Sequence, residues 1–126
     1  NAVTLQSHLG TPGALKTRGS ILFLEEIGER AYRLDRVFYH FLASGFVAKA
    51  KAVVLGQFTN CAEPDGSEEL LRASQIRFAE DLDHYKIPVF SGIASGHGKD
   101  LWPLPLGCKS EIPKKGSEIT LTSFWK

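Results

Sequence analysis

Ile21-Leu22-Phe23-Leu24-Glu25-Glu26, answered one helix later by Ala52-Val53-Val54-Leu55, sets the architecture of this 126-residue chain. Each run is apolar over four successive positions rather than alternating, the pattern of a strand buried on both faces in a parallel sheet. Between them Leu34, Val37, Phe38, Phe41 and Leu42 recur at helical spacing from Tyr32 to Ser44, and Gly45 supplies a left-handed stop. Strand, helix and strand in that order predict a right-handed parallel crossover.

Downstream, Asp65 or Ser67 can cap a second helix, with Glu68 and Glu69 in its first turn and a stripe of Leu71, Phe78 and Leu82 continuing to Tyr85. Gly56 is expected to end the second strand, and Ile87-Pro88-Val89-Phe90 reads as a third. Lys109 to Ile112 and Ile119 to Thr122 flank Lys114-Lys115-Gly116 as the arms of a closing hairpin. Upstream, Thr4 to Leu9 reads as a helix tail stopped at Gly10-Thr11-Pro12-Gly13. The expectation is an α/β fold: a small parallel sheet with two crossover helices plus an antiparallel hairpin, in one domain over residues 1–126.

Composition removes several function classes. A content of 43% hydrophobic and 10% aromatic residues supports one core. Fifteen Lys plus Arg against fourteen Asp plus Glu leave a formal charge of +1, and the basic residues are scattered, so nucleic acid is not an expected partner. The longest apolar stretch, Phe46 to Leu55, is broken by Lys49 and Lys51, so no membrane span is expected. Cys61 and Cys108 fall short of a disulfide framework and suit a reducing compartment. The start at Asn1-Ala2, without Met or a signal peptide, reads as a fragment or processed product, with a tag scar as one reading of those two residues.

In a parallel sheet the crevice lies beyond the C-terminal strand ends. Glu25, the segment Gln57 to Asn60 and the loop Ser91 to Lys99 all project there. That loop, Ser91-Gly92-Ile93-Ala94-Ser95-Gly96-His97-Gly98-Lys99, admits several readings. A phosphate loop is excluded by the Gly92 to Gly98 spacing, by Asp100 where Ser or Thr would hold magnesium, and by Pro103 and Pro105 where a helix should follow. A metal site is disfavoured because no two of His8, His40, His84 and His97 have ligand spacing. A solvated turn would account for the glycines alone. A catalytic base at His97 would account for the glycines and for the acid at Glu25, although Glu26 and Glu29 are rival acids because a one-residue register slip exchanges the faces.

Taken in order, Leu9-Gly10-Thr11-Pro12, Ile21 to Glu26, Tyr32-Arg33-Leu34-Asp35-Arg36, Ala43-Ser44-Gly45, Val54-Leu55-Gly56-Gln57-Phe58, Ile87-Pro88-Val89, Gly96-His97-Gly98 and Leu104-Pro105-Leu106-Gly107 resemble the C-terminal domain of the LD-carboxypeptidase family of serine peptidases, which includes murein tetrapeptide carboxypeptidases and microcin-immunity peptidases. The resemblance runs over nearly the whole chain, with Glu26 in place of the family's more usual Asp. It implies a swivelling β/β/α-like domain, and catalytic roles for Glu25 and His97 as the acid and base of a Ser-His-Glu site. The serine would come from an N-terminal nucleophile domain that this chain lacks. The substrate implied is a muropeptide stem with a terminal D-amino acid, the setting the bacterial cytoplasm, and the cofactors none. A homodimer is a further partner that the family suggests. No serine here has the strand-turn-helix setting of a nucleophile elbow; Ser91 and Ser95 are the ones nearest His97. The isolated chain is therefore expected to be inert, and the alternative is a non-catalytic muropeptide-binding or interaction module on the same scaffold.

Overall fold

The computed structural model of the chain describes residues 1–112. Six elements follow in order: α1 (Ala2–Ser7), β1 (Ile21–Ile27), α2 (Ala31–Ala43), β2 (Ala52–Thr59), α3 (Glu69–His84) and β3 (Val89–Ser91). The strands form one parallel sheet in the order β1-β2-β3, so α2 and α3 each cross over between adjacent strands.

Strand periodicity divides the side chains between two faces. Leu22 and Leu24 of β1 and Val53 and Leu55 of β2 join Leu34, Val37, Phe38 and Phe41 of α2 and Leu71, Phe78 and Leu82 of α3 in one core. Phe38 stacks on Phe78 at 4.6 Å between ring centroids and meets Phe58 edge-on at 6.0 Å, which ties both helices to β2. Aromatic pairs of this kind add roughly 0.5–1.5 kcal/mol beyond the area they bury. On the second face Ile21, Phe23 and Val54 line a cavity with Ile93, Leu104, Pro105, Leu106 and Cys108, so the segment after β3 folds back across the sheet. The continuous apolar runs have this two-sided burial as their cause.

Several boundaries differ from expectation. Gly56 does not end β2, which continues to Thr59. A Cβ at Gly56 would lie 2.5 Å from both the Phe23 ring and the Ser95 carbonyl oxygen, so the glycine serves close approach rather than termination. β1 likewise runs on through both glutamates to Ile27. α3 begins at Glu69; Asp65 instead accepts from the Ser67 N–H at 2.8 Å, capping the preceding turn. β3 starts after Pro88, which has no N–H and offers only its carbonyl, to Val53. Of the expected hairpin, Lys109 to Ile112 is irregular and the second arm lies outside the described residues.

One irregularity of the sheet bears on the site. Leu24 is paired with Leu55 and Glu26 with Phe58, so the single residue Glu25 faces two residues of β2, Gly56 and Gln57. This is a β-bulge, and it puts both Gly56 and Gln57 on the loop-bearing face before Phe58 returns to the core.

Candidate active site

Glu25 follows Phe23 on the second face of β1 and is 6% exposed. Its Oε2 lies 2.7 Å from His97 Nδ1, and its Oε1 lies 3.0 Å from the backbone nitrogen of Asn1. Burial alone would push this carboxyl up. Hydrogen bonding to its oxygens, chiefly from His97, opposes burial and holds it below its ordinary value. An ionised carboxylate only accepts hydrogen bonds, so in the neutral imidazole the proton sits on Nδ1 and the Nε2 lone pair is left free. His97 has a side chain 51% exposed, and its Nε2 has no hydrogen-bond partner among the described residues. The pair can accept a proton from a group brought to that open side, with the resulting imidazolium stabilised by Glu25.

The loop around His97 is held from β2. Gln57 receives the Gly98 N–H on its Oε1 at 2.9 Å, and its Nε2 donates to the Asp100 carbonyl at 3.3 Å. The Gln57 backbone N–H donates to the Ser95 carbonyl at 2.9 Å. Gly96, at φ +137°, has a conformation rarely adopted by L side chains, and a Cβ there would press on Gln57 and on Glu25 Cβ at 3.2–3.3 Å. A Cβ at Gly98 would overlap the Gln57 amide. Both glycines are thus explained by contact with the sheet, not by a free turn.

The rival acids go elsewhere. Glu26, 2% exposed on the core side, accepts from the Val3 N–H at 2.8 Å, the Ile27 N–H at 2.9 Å and the Asn1 side-chain amide, and so anchors the start of α1. Glu29 pairs with Arg33 at 3.6 Å on the surface. Asp35 meets Arg77 at 3.2 Å, a solvated helix-face pair. Strand alternation had left Glu25 and Glu26 interchangeable in the sequence; here they point to opposite sides of the sheet. The segment from Gln57 to Asn60 was expected at this edge, but sequence reasoning assigned Gln57 no part in holding the loop, and the contact at Asn1 was not anticipated. The signal for Gln57 lay in the small residues Gly56, Gly96 and Gly98, which make room for it.

Ser95 is 8% exposed and uses its backbone to hold Gln57; neither it nor Ser91 bonds to His97. Both cysteines are free, and burial pushes the Cys61 thiol up, away from thiolate chemistry. Among the described residues no three His, Cys, Asp or Glu side chains converge as a metal-binding group. No helix among them is long and apolar enough to cross a membrane.

With this geometry established, comparison with known proteins is specific. The LD-carboxypeptidase C-terminal domain matches residues 1–112. The murein tetrapeptide carboxypeptidase of Pseudomonas aeruginosa is 35% identical over 106 residues, covering 82% of this chain and 33% of that protein. The microcin C7 self-immunity protein MccF of Escherichia coli is 30% identical over 106 residues, covering 82% of this chain and 29% of its own length. Among solved structures, a muramoyltetrapeptide carboxypeptidase from Oxalobacter formigenes superimposes with a TM-score of 0.64 at 35% identity, covering 80% of this chain and 35% of that one. The chain spans about a third of the length of the curated relatives it matches. Matched along all of its described length, and folded as those structures are, the chain belongs to the family of LD-carboxypeptidase C-terminal domains.

Proposed function

We propose that this chain is the acid- and base-bearing part of a serine-type LD-carboxypeptidase that removes the terminal D-alanine from murein tetrapeptides in the bacterial cytoplasm. The observation that carries the reading is the 2.7 Å bond between Glu25 and His97 Nδ1, with Nε2 left open on the exposed side. The serine comes from an N-terminal nucleophile domain outside this chain, and no metal or organic cofactor is required.

In this mechanism Nε2 of His97 takes the serine hydroxyl proton as the serine oxygen attacks the peptide carbonyl. Glu25 holds the imidazole tautomer and balances the imidazolium charge. His97 then returns the proton to the departing amine, the C–N bond breaks, and D-alanine leaves behind an acyl-enzyme. A water molecule gives its proton to Nε2 and attacks the ester carbon; return of that proton to the serine oxygen releases the tripeptide.

The test uses the full-length protein and measures D-alanine release from a purified murein tetrapeptide. His97→Ala is expected to lower kcat by roughly 10^6-fold and Glu25→Ala by roughly 10^4-fold, since members of a triad act as a unit. Full activity in both variants would overturn the assignment and leave the scaffold as a muropeptide-binding module.

A further inference from the structure

We propose that Gln57 is a positioning residue for His97, set in place by the β-bulge opposite Glu25. The inference rests on the functional reading above, because it concerns the imidazole assigned there as the base.

Without the extra residue in β2, strand alternation after Leu55 and Gly56 would turn Gln57 into the core beside Phe38 and Phe78. The bulge re-aims it to the loop face, a known use of such irregularities. There Gln57 makes three bonds to the segment that carries His97: its backbone N–H to the Ser95 carbonyl, its Oε1 to the Gly98 N–H at 2.9 Å and its Nε2 to the Asp100 carbonyl at 3.3 Å. The bonds fall before and after position 97, so the histidine is fixed from both sides while its ring remains free to face outward. Among the described residues the His97 side chain is held only through Nδ1, and it is half exposed. A single hydrogen bond leaves a ring free to rotate about its side-chain torsions; the clasp fixes the backbone from which the ring projects.

Amide chemistry suits this task better than the alternatives. The loop presents one N–H at Gly98 and one C=O at Asp100, and a primary amide satisfies both with a donor and an acceptor on one planar group. Asn would be one methylene short, and Lys or Arg could only donate. The flanking glycines complete the fit, because a Cβ at Gly98 would occupy the space of the Gln57 amide itself. Gln57 and Gly98 therefore form a coupled pair: neither can be changed without disturbing what the other does.

The experiment follows D-alanine release in the full-length protein with Gln57→Ala, Gly98→Ala, the double variant, Gln57→Glu and His97→Ala, with KM and melting temperature recorded for each. Misplacement of a reacting group by about 1 Å costs roughly 10^2-fold, so Gln57→Ala is expected to lower kcat by roughly 10- to 100-fold with little change in KM. Gly98→Ala should do the same, by expelling the amide. The double variant should be no worse than the poorer single variant, because removing the Gln57 side chain makes room for the new methyl group. Gln57→Glu keeps an acceptor for the Gly98 N–H but turns a second acceptor towards the Asp100 carbonyl, so its kcat should fall between those of wild type and Gln57→Ala. Should Gln57→Ala fail to fold, Gly98→Ala and Gln57→Glu decide alone: a lowered kcat at unchanged KM in both supports the clasp, and wild-type kcat in either overturns it. Wild-type kcat in Gln57→Ala, or single effects that multiply in the double variant, would overturn the inference while an inactive His97→Ala left the functional reading standing. An active His97→Ala would sink that reading first.

Discussion

Glu25 has both carboxylate oxygens engaged, one by the imidazole of His97 and one by the nitrogen of Asn1, although almost none of its surface reaches water. Because these bonds favour the charged form, its pKa in the folded chain lies below the ordinary 4.5. The sign of the linkage follows. A depressed acid stabilises the fold fully above its unfolded value, and that contribution disappears as pH falls through the lower folded value. Glu25→Gln removes the titration while keeping an oxygen that accepts a hydrogen bond. Urea unfolding measured from pH 4.5 downwards should therefore show the stability gap between wild type and Glu25→Gln narrowing as the pH falls. Parallel pH profiles for the two proteins would contradict this account of Glu25.

Among the elements, the pairing of α2 with α3 over the sheet rests on Phe38, 2% exposed and in contact with the rings of both Phe78 and Phe58. Phe38→Ala is expected to cost about 3–5 kcal/mol in chemical denaturation, from lost burial and the cavity left behind. Its neighbour Tyr39, 72% exposed, should change stability by less than about 0.5 kcal/mol when replaced by alanine. Equal losses at the two positions would mean that the helix packs by another face. This helix and the strand cores at Ile21 to Leu24 and Ala52 to Leu55 were legible in the sequence because their signals are local: apolar runs, helical spacing and the stop at Gly45. The bulge and the clasp at Gln57 were not, because they depend on partners far away in the chain. The continuation of β1 through Glu25 and Glu26 was hidden for the same reason. Two adjacent acids inside a buried strand look like its end until the groups that satisfy them, His97 and the start of α1, are known. For the site, the resemblance to the LD-carboxypeptidase family pointed to Glu25 and His97, whereas the residues alone left Glu25 and Glu26 as rivals until the register was known.

The whole molecule presents His97 at an open edge, and the same segment leaves Leu101 and Trp102 largely exposed, at 65% and 70%. On the proposed function, the chain assayed alone is expected to release no D-alanine from tetrapeptide. Adding the nucleophile domain in trans should restore turnover that depends on Glu25 and His97. Robust release by the chain alone would place a nucleophile within these 126 residues and contradict the split-site reading. The bulge opposite Glu25 also has a consequence for how the chain reaches this state. A sheet slipped by one residue along β1 would turn Glu26 towards the loop and drive Glu25 against the aromatic core, while the Val3 and Ile27 N–H groups lost their acceptor. Each of these errors strands a polar group without a partner, at a cost of about 1–3 kcal/mol or more for a charged one. Two neighbouring carboxylates with incompatible destinations thus act as a proofreading device for strand pairing, rejecting the misregistered sheet before it can persist as a compact but silent product.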